Sequence, residues 1–248
     1  MLMDVGRSVA FPFHGPAWFG RVLVGALLEI APLLLSIPLL VVVLRRVTCP
    51  TPILVALAAL AAVVSLVSRA VVLGYLRRIA RGVLLGTCRE LPRWDRFGED
   101  LLEGIKMMLV IAVLWMPVTA LVVVLTVLVA GATHTALAWL PAVVIGPPAA
   151  LLTIFYVPAA LLTVVASDEF GAAFDVDRVL GAARRMGGAY FLAFLFAFAA
   201  EVVAQLGLLA FCLGIFATRF VAHTMAVHAF STVYRESAPR PELLQTIG

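Results

Sequence analysis

The sequence predicts an all-α polytopic membrane protein: a transmembrane bundle of about six spans, arranged as three helical hairpins, with amphipathic helices lying along one surface. Three observations carry this. Apolar residues make up 64% of the 248 residues and mean hydropathy is +1.12, well above the roughly 45–50% apolar content of soluble domains. Several apolar runs reach the about 20 residues that a helix needs to cross a bilayer. Charged residues, only 13% of the chain, gather between those runs instead of spreading along them.

The chain reads as one integral membrane domain over residues 1–248, with spans at 22–44, 53–76, 105–129, 138–166, 190–211 and 214–234. The opening "MLMDVGRSVAFPFHGPAWFG" has no early basic cluster of the kind found in a cleavable signal peptide, so the first span is expected to drive insertion. The fourth span holds Pro141, Pro147, Pro148 and Pro158. Each proline removes a backbone donor, so a kinked or broken helix is expected there. The sixth span is the least apolar, because Arg219, His223 and His228 interrupt it.

Three segments, 4–20, 94–104 and 168–187, are expected at the membrane surface. In "RFGEDLLEGIKMM", Phe97, Leu101, Leu102, Ile105 and Met108 recur at helical spacing, with Glu99, Asp100 and Glu103 expected to face water. Asp95, after the helix-breaking Pro92, is a candidate N-cap. In "FGAAFDVDRVLGAARRM" an apolar stripe through Ala172, Val176, Val179, Leu180 and Ala183 is flanked by charges. Both patterns suit helices lying in the interface, with Trp94 at headgroup level as an aromatic anchor.

Basic residues set the expected orientation. Most of the 18, including the seven between Arg77 and Lys106, fall in segments that share a side with both termini. By the positive-inside rule that side is cytoplasmic, and Arg45 and Arg46 face outward. The net charge of +4 is therefore read as membrane anchoring, with lipids and other membrane subunits as expected partners and no nucleic acid.

Along nearly the whole chain the sequence resembles a family of prokaryotic multi-pass membrane proteins catalogued as domain of unknown function 4013. The stretches that carry the resemblance are "DVGRSVAFPFHGPAWFGRVLVGALLEIAP", "GYLRRIARG", "LPRWDRFGEDLLEGIK", "PAALLTVVASDEFGAAFDVDRVL" and "YRE". The Arg45–Pro52 turn is more basic and proline-rich than the rest of the likeness leads one to expect. The resemblance implies a helical fold in a prokaryotic cytoplasmic membrane, and no activity.

Chemistry is sparse. Phosphate-loop, zincin and hydrolase motifs are missing from the sequence, which favours a non-enzymatic protein. Cys49, Cys88 and Cys212 are too dispersed for a metal site or a disulfide framework, and His223 and His228 are five residues apart, on different sides of a helix. No cofactor or metal is expected. The informative residues are polar ones inside spans: Glu29, Arg69, Glu201, Gln205, Arg219 and His223. If the first hairpin turns near Cys49, Glu29 and Arg69 lie at equal depth. If the last turns near Cys212, Glu201 lies level with His223 and Gln205 with Arg219, giving a polar ladder. Trp94, Asp95, Arg96 and Phe97 form a candidate docking surface for a partner. The leading expectation is an accessory or assembly subunit of a larger membrane complex. The alternative is a small-solute or ion transporter or channel-like protein using Glu29 and Glu201.

Overall fold

A computed structural model describes residues 4–45, 51–133, 139–209 and 214–238, and among them every regular element is helical. The elements are α1 (Val5–Ala10), α2 (Trp18–Arg45), α3 (Thr51–Leu84), α4 (Phe97–Thr133), α5 (Leu140–Val144), α6 (Gly146–Ser167), α7 (Val176–Gln205) and α8 (Gly214–Ser237). Five are long and apolar enough to cross a membrane: α2, α3, α4, α6 and α7. α8 is 24 residues long but carries the polar residues that thin its hydropathy. The expected turns at Cys49 and Cys212, with His134, lie outside the described residues.

Local sequence accounts for the helix ends. Asp4 caps α1 by accepting from the Arg7 amide at 3.1 Å, and Asp175 caps α7 by accepting from the Arg178 amide at 3.0 Å. α5 ends and α6 begins around Gly146, Pro147 and Pro148, the break expected in the fourth span. Asp168 takes a left-handed conformation, φ 58°, and closes α6 with its amide on the Val164 carbonyl. Within α7, Gly187 leaves the helical region at φ 54°, ψ −135°, between the expected surface segment and the expected fifth span.

The chain divides into two compact units. The first comprises residues 1–105 and 188–237, and the second 106–187 and 238–248. In the first, α2, α3 and α8 pack on one another. Their core is built from Phe11, Val22, Val72, Tyr75, Leu76, Ile79, Val83, Leu91 and Phe220. A methyl on Gly25 would lie 2.5 Å from the Phe220 ring, so α2 meets α8 only because that residue is glycine. In the second unit the 170–173 turn folds back on α6, where Tyr156 donates to the Ala173 carbonyl at 3.0 Å. Of the expected apolar stripe, Ala172 and Val179 are buried, while Val176 and Leu180 are exposed.

Three expectations change at the start of α4. Residues 97–104 are not a separate surface segment; they are the first turns of a 37-residue helix. Asp100, expected to face water, is 3% exposed and pairs with Arg78 at 2.8 Å. The reason is a close crossing of α3 and α4. The Asp100 carbonyl fills the space where a Gly74 side chain would stand, and the Ala70 carbonyl does the same at Gly104. Small residues allow backbones to approach this closely, and the crossing turns the Asp100 side toward α3. Asp95 is not the cap, because its carboxylate is held by Arg78.

Candidate functional site

Two clusters of polar residues occur in the first unit. One closes the end of α3. Tyr75, fully buried, stacks on Trp94 at 3.8 Å between ring centroids and donates its hydroxyl to the Pro92 carbonyl at 2.9 Å. The Trp94 indole N–H donates to the Arg21 carbonyl at 2.8 Å. Arg21, buried, sends its guanidinium to the Leu91 carbonyl and to Glu90. Arg78 contacts Asp95, Asp100 and the Arg93 carbonyl. The Arg78 hydrogen bond holds the Asp95 carboxyl below its ordinary pKa. That contact persists at neutral pH and is lost as pH falls through the lowered value. Burial first, and then Glu90, push the Cys88 thiol up to about 11, so it stays protonated at neutral pH.

This cluster alters the picture of the candidate docking residues. Trp94, Asp95 and Arg96 make contacts within the chain, Arg96 pairing with Glu99 at 3.3 Å. Phe97, 46% exposed, stacks on Trp94 from the outside. The tryptophan expected at headgroup level is half-buried as a lock between α2 and α3.

The second cluster joins Glu29 of α2, Glu201 near the end of α7, and Arg219 and His223 of α8. His223 sits between two carboxylates. Its Nδ1 is 3.7 Å from Glu29 Oε1 and its Nε2 is 3.7 Å from Glu201 Oε2. Arg219 Nε reaches the other oxygen of Glu201 at 3.1 Å. A continuous chain of ionisable groups results: Glu29, His223, Glu201, Arg219. Positions 219 and 223 share a face of α8 because they are four residues apart. The same spacing brings Gln205 under Glu201, but its amide donates to the Glu201 carbonyl at 3.4 Å and not to Arg219.

Beside this chain is a cavity of about 390 Å³ between α2, α3 and α8. Glu29, Arg69 and Arg219 line it, with Ser36, Ser65 and Ser68 and the apolar Leu28, Leu33, Val72 and Phe216. The small-residue stripe of α3, which suits close helix packing, forms one wall here through Ala61, Ala62, Ser65 and Ser68. Glu29 and Arg69 therefore do share a site, but the ion pair that Glu29 makes is with His223. Equal depth in a hairpin leaves helix rotation open, and α8 offers a nearer partner. Among the described residues Arg69 has no hydrogen bond or ion pair, and no group of three or more His, Cys, Asp or Glu is placed to hold a metal ion.

Sequence reasoning missed the contact between α2 and α8, because register arguments link only neighbouring helices. It also missed Ser8, whose hydroxyl meets His228 Nδ1 at 3.2 Å while Phe11 stacks on that ring at 4.4 Å.

In comparisons with known proteins, no curated protein and no solved structure matched the chain. A family model did match, over residues 53–213. That stretch includes Arg69, Trp94 and Glu201 and excludes Glu29, Arg219 and His223. It covers well over half of the chain, with helices of the expected apolarity throughout. The chain thus belongs to the family described as protein of unknown function DUF4013.

Proposed function

We propose that this helical membrane protein is a non-enzymatic carrier or channel-like protein for a small solute, with Glu29 and Glu201 handling the moving charge. The observation that supports the reading is the imidazole of His223 between the carboxylates of Glu29 and Glu201, 3.7 Å from each, beside a cavity. Ionisable groups inside spans are expensive, and in transporters they mark ion paths and proton relays. At 3.7 Å neither contact is a closed hydrogen bond, so a small rotation of the ring brings His223 to one acid or the other. The accessory-subunit reading rests on the missing catalytic motifs and on inner surface segments suited to docking; of its candidate docking residues Trp94 is half-buried within the chain, while Asp95, Arg96 and Phe97 stay exposed.

The distribution of basic residues supports an orientation with both termini on the cytoplasmic side, and the family resemblance implies a prokaryotic membrane. In a cysteine-free background, a membrane-impermeant maleimide added from outside is expected to label Thr133→Cys and not Arg93→Cys or Asp177→Cys. Outside labelling at residue 93 reverses the orientation.

The function is tested by reconstitution. In liposomes loaded with a pH-sensitive dye, the wild-type protein should collapse an imposed pH gradient faster than protein-free vesicles do. Glu29→Gln and Glu201→Gln should each lower that rate about tenfold or more, the size of effect expected for losing a positioned proton-transfer group. Rates unchanged in both variants remove the carrier reading. Stoichiometric co-purification with other membrane subunits, in a protein that moves nothing, restores the accessory-subunit one.

A further inference from the structure

We infer that the cavity between α2, α3 and α8 binds an anionic oxygen group, a carboxylate or a phosphate. The inference rests on the carrier reading and names the class of its ligand.

Arg69 lies on α3 within an apolar stretch, lines the cavity and has no hydrogen bond or ion pair among the described residues. Its charge is felt by Glu29 across the cavity, and its guanidinium donors are not taken up by any acceptor among the described residues. Arg219 lines the same cavity; its Nε faces Glu201, and its planar fork has further donors that no acceptor among the described residues occupies. Ser68, 5% exposed, also lines it, and its hydroxyl has no partner among the described residues. Two guanidiniums and a free hydroxyl are the donor set that recognises a carboxylate or phosphate.

The carboxylates of the cluster are engaged elsewhere: Glu29 faces His223, and Glu201 faces His223 and Arg219 Nε. The remaining donors of Arg219 and those of Arg69 are left for an entering anion. The volume of about 390 Å³ falls within the roughly 300–1,000 Å³ of ordinary ligand pockets. Its apolar walls, Leu28 and Phe216 among them, leave room for a hydrocarbon chain behind the anionic group.

The test is a titration of the purified protein in phosphatidylcholine nanodiscs with spin-labelled stearate, followed by the immobilised fraction of the label. Competitors are lysophosphatidic acid, stearate methyl ester, acetate and inorganic phosphate. Saturable binding that the ester fails to compete is expected. Competition by the tailed anions alone marks a lipid source, and equal competition by inorganic phosphate or acetate marks a free anion; either result supports the shared chemistry. Arg69→Gln and Arg219→Gln should each weaken binding about tenfold or more, the loss expected for a charge-assisted contact, and Arg69→Lys should recover part of it. Binding that the ester matches, or that survives both arginine changes, overturns the proposal. Binding without flux in liposomes removes the carrier reading and leaves this site standing; flux without binding does the reverse.

Discussion

Gly104→Ala should destabilise the first unit by at least the about 1–3 kcal/mol of ordinary core overpacking, and Gly74→Ala should do the same. At both positions the new methyl meets a carbonyl of the opposite helix: that of Ala70 for residue 104 and that of Asp100 for residue 74. Backbone atoms cannot rotate aside as a side chain can, so relief requires α3 and α4 to part. Parting them also loosens the pairs of Arg78 with Asp100, at 2.8 Å, and Arg77 with Glu103, at 3.2 Å. Gly98→Ala is the control. A methyl there meets nothing within 4 Å, and in a helix alanine is favoured over glycine by roughly 0.5–1 kcal/mol. Thermal unfolding in detergent should lower the midpoint for the two crossing variants and leave or raise it for Gly98→Ala. Equal midpoints for Gly104→Ala and Gly98→Ala would mean that the crossing does not form.

Tyr75→Ala should destabilise by about 3–5 kcal/mol, the range for deleting a buried aromatic side chain. Tyr75 is fully buried, lies against Trp94 and Phe220, and holds the 85–96 segment through the Pro92 carbonyl. Tyr75→Phe keeps the packing and removes one neutral hydrogen bond, so roughly 1 kcal/mol is expected. A double-mutant cycle with Trp94→Ala separates stacking from general packing. A coupling of about 0.5–1.5 kcal/mol is the signature of an aromatic pair. Additive losses would remove Trp94 as the partner and leave its indole hydrogen bond to Arg21 as its main role.

The lock around Tyr75 shows why the charged stretch 88–106 was only half legible. Its charge density, its proline and its helical pattern from Phe97 onward are local properties, and they do mark where α4 begins. A tryptophan among charges reads as an interfacial anchor from composition alone. Whether it faces headgroups or another ring depends on where Tyr75 stands, 19 residues away on α3.

Helical class, the broken fourth span and the polar residues at membrane depth were determined by the sequence itself. Each follows from hydropathy or proline chemistry within a single segment, because backbone hydrogen bonding inside a bilayer must be satisfied within the helix. The partners of those polar residues were decided only by tertiary structure. Depth along a hairpin correctly brought Glu201 to His223 and left helix rotation free. That is why Gln205 turned to its own helix and Glu29 met His223 instead of pairing with Arg69. Contact between α2 and α8 joins the two ends of the chain across almost 200 residues. It depends on Gly25 admitting the Phe220 ring, a fit between two surfaces that no single stretch of sequence contains.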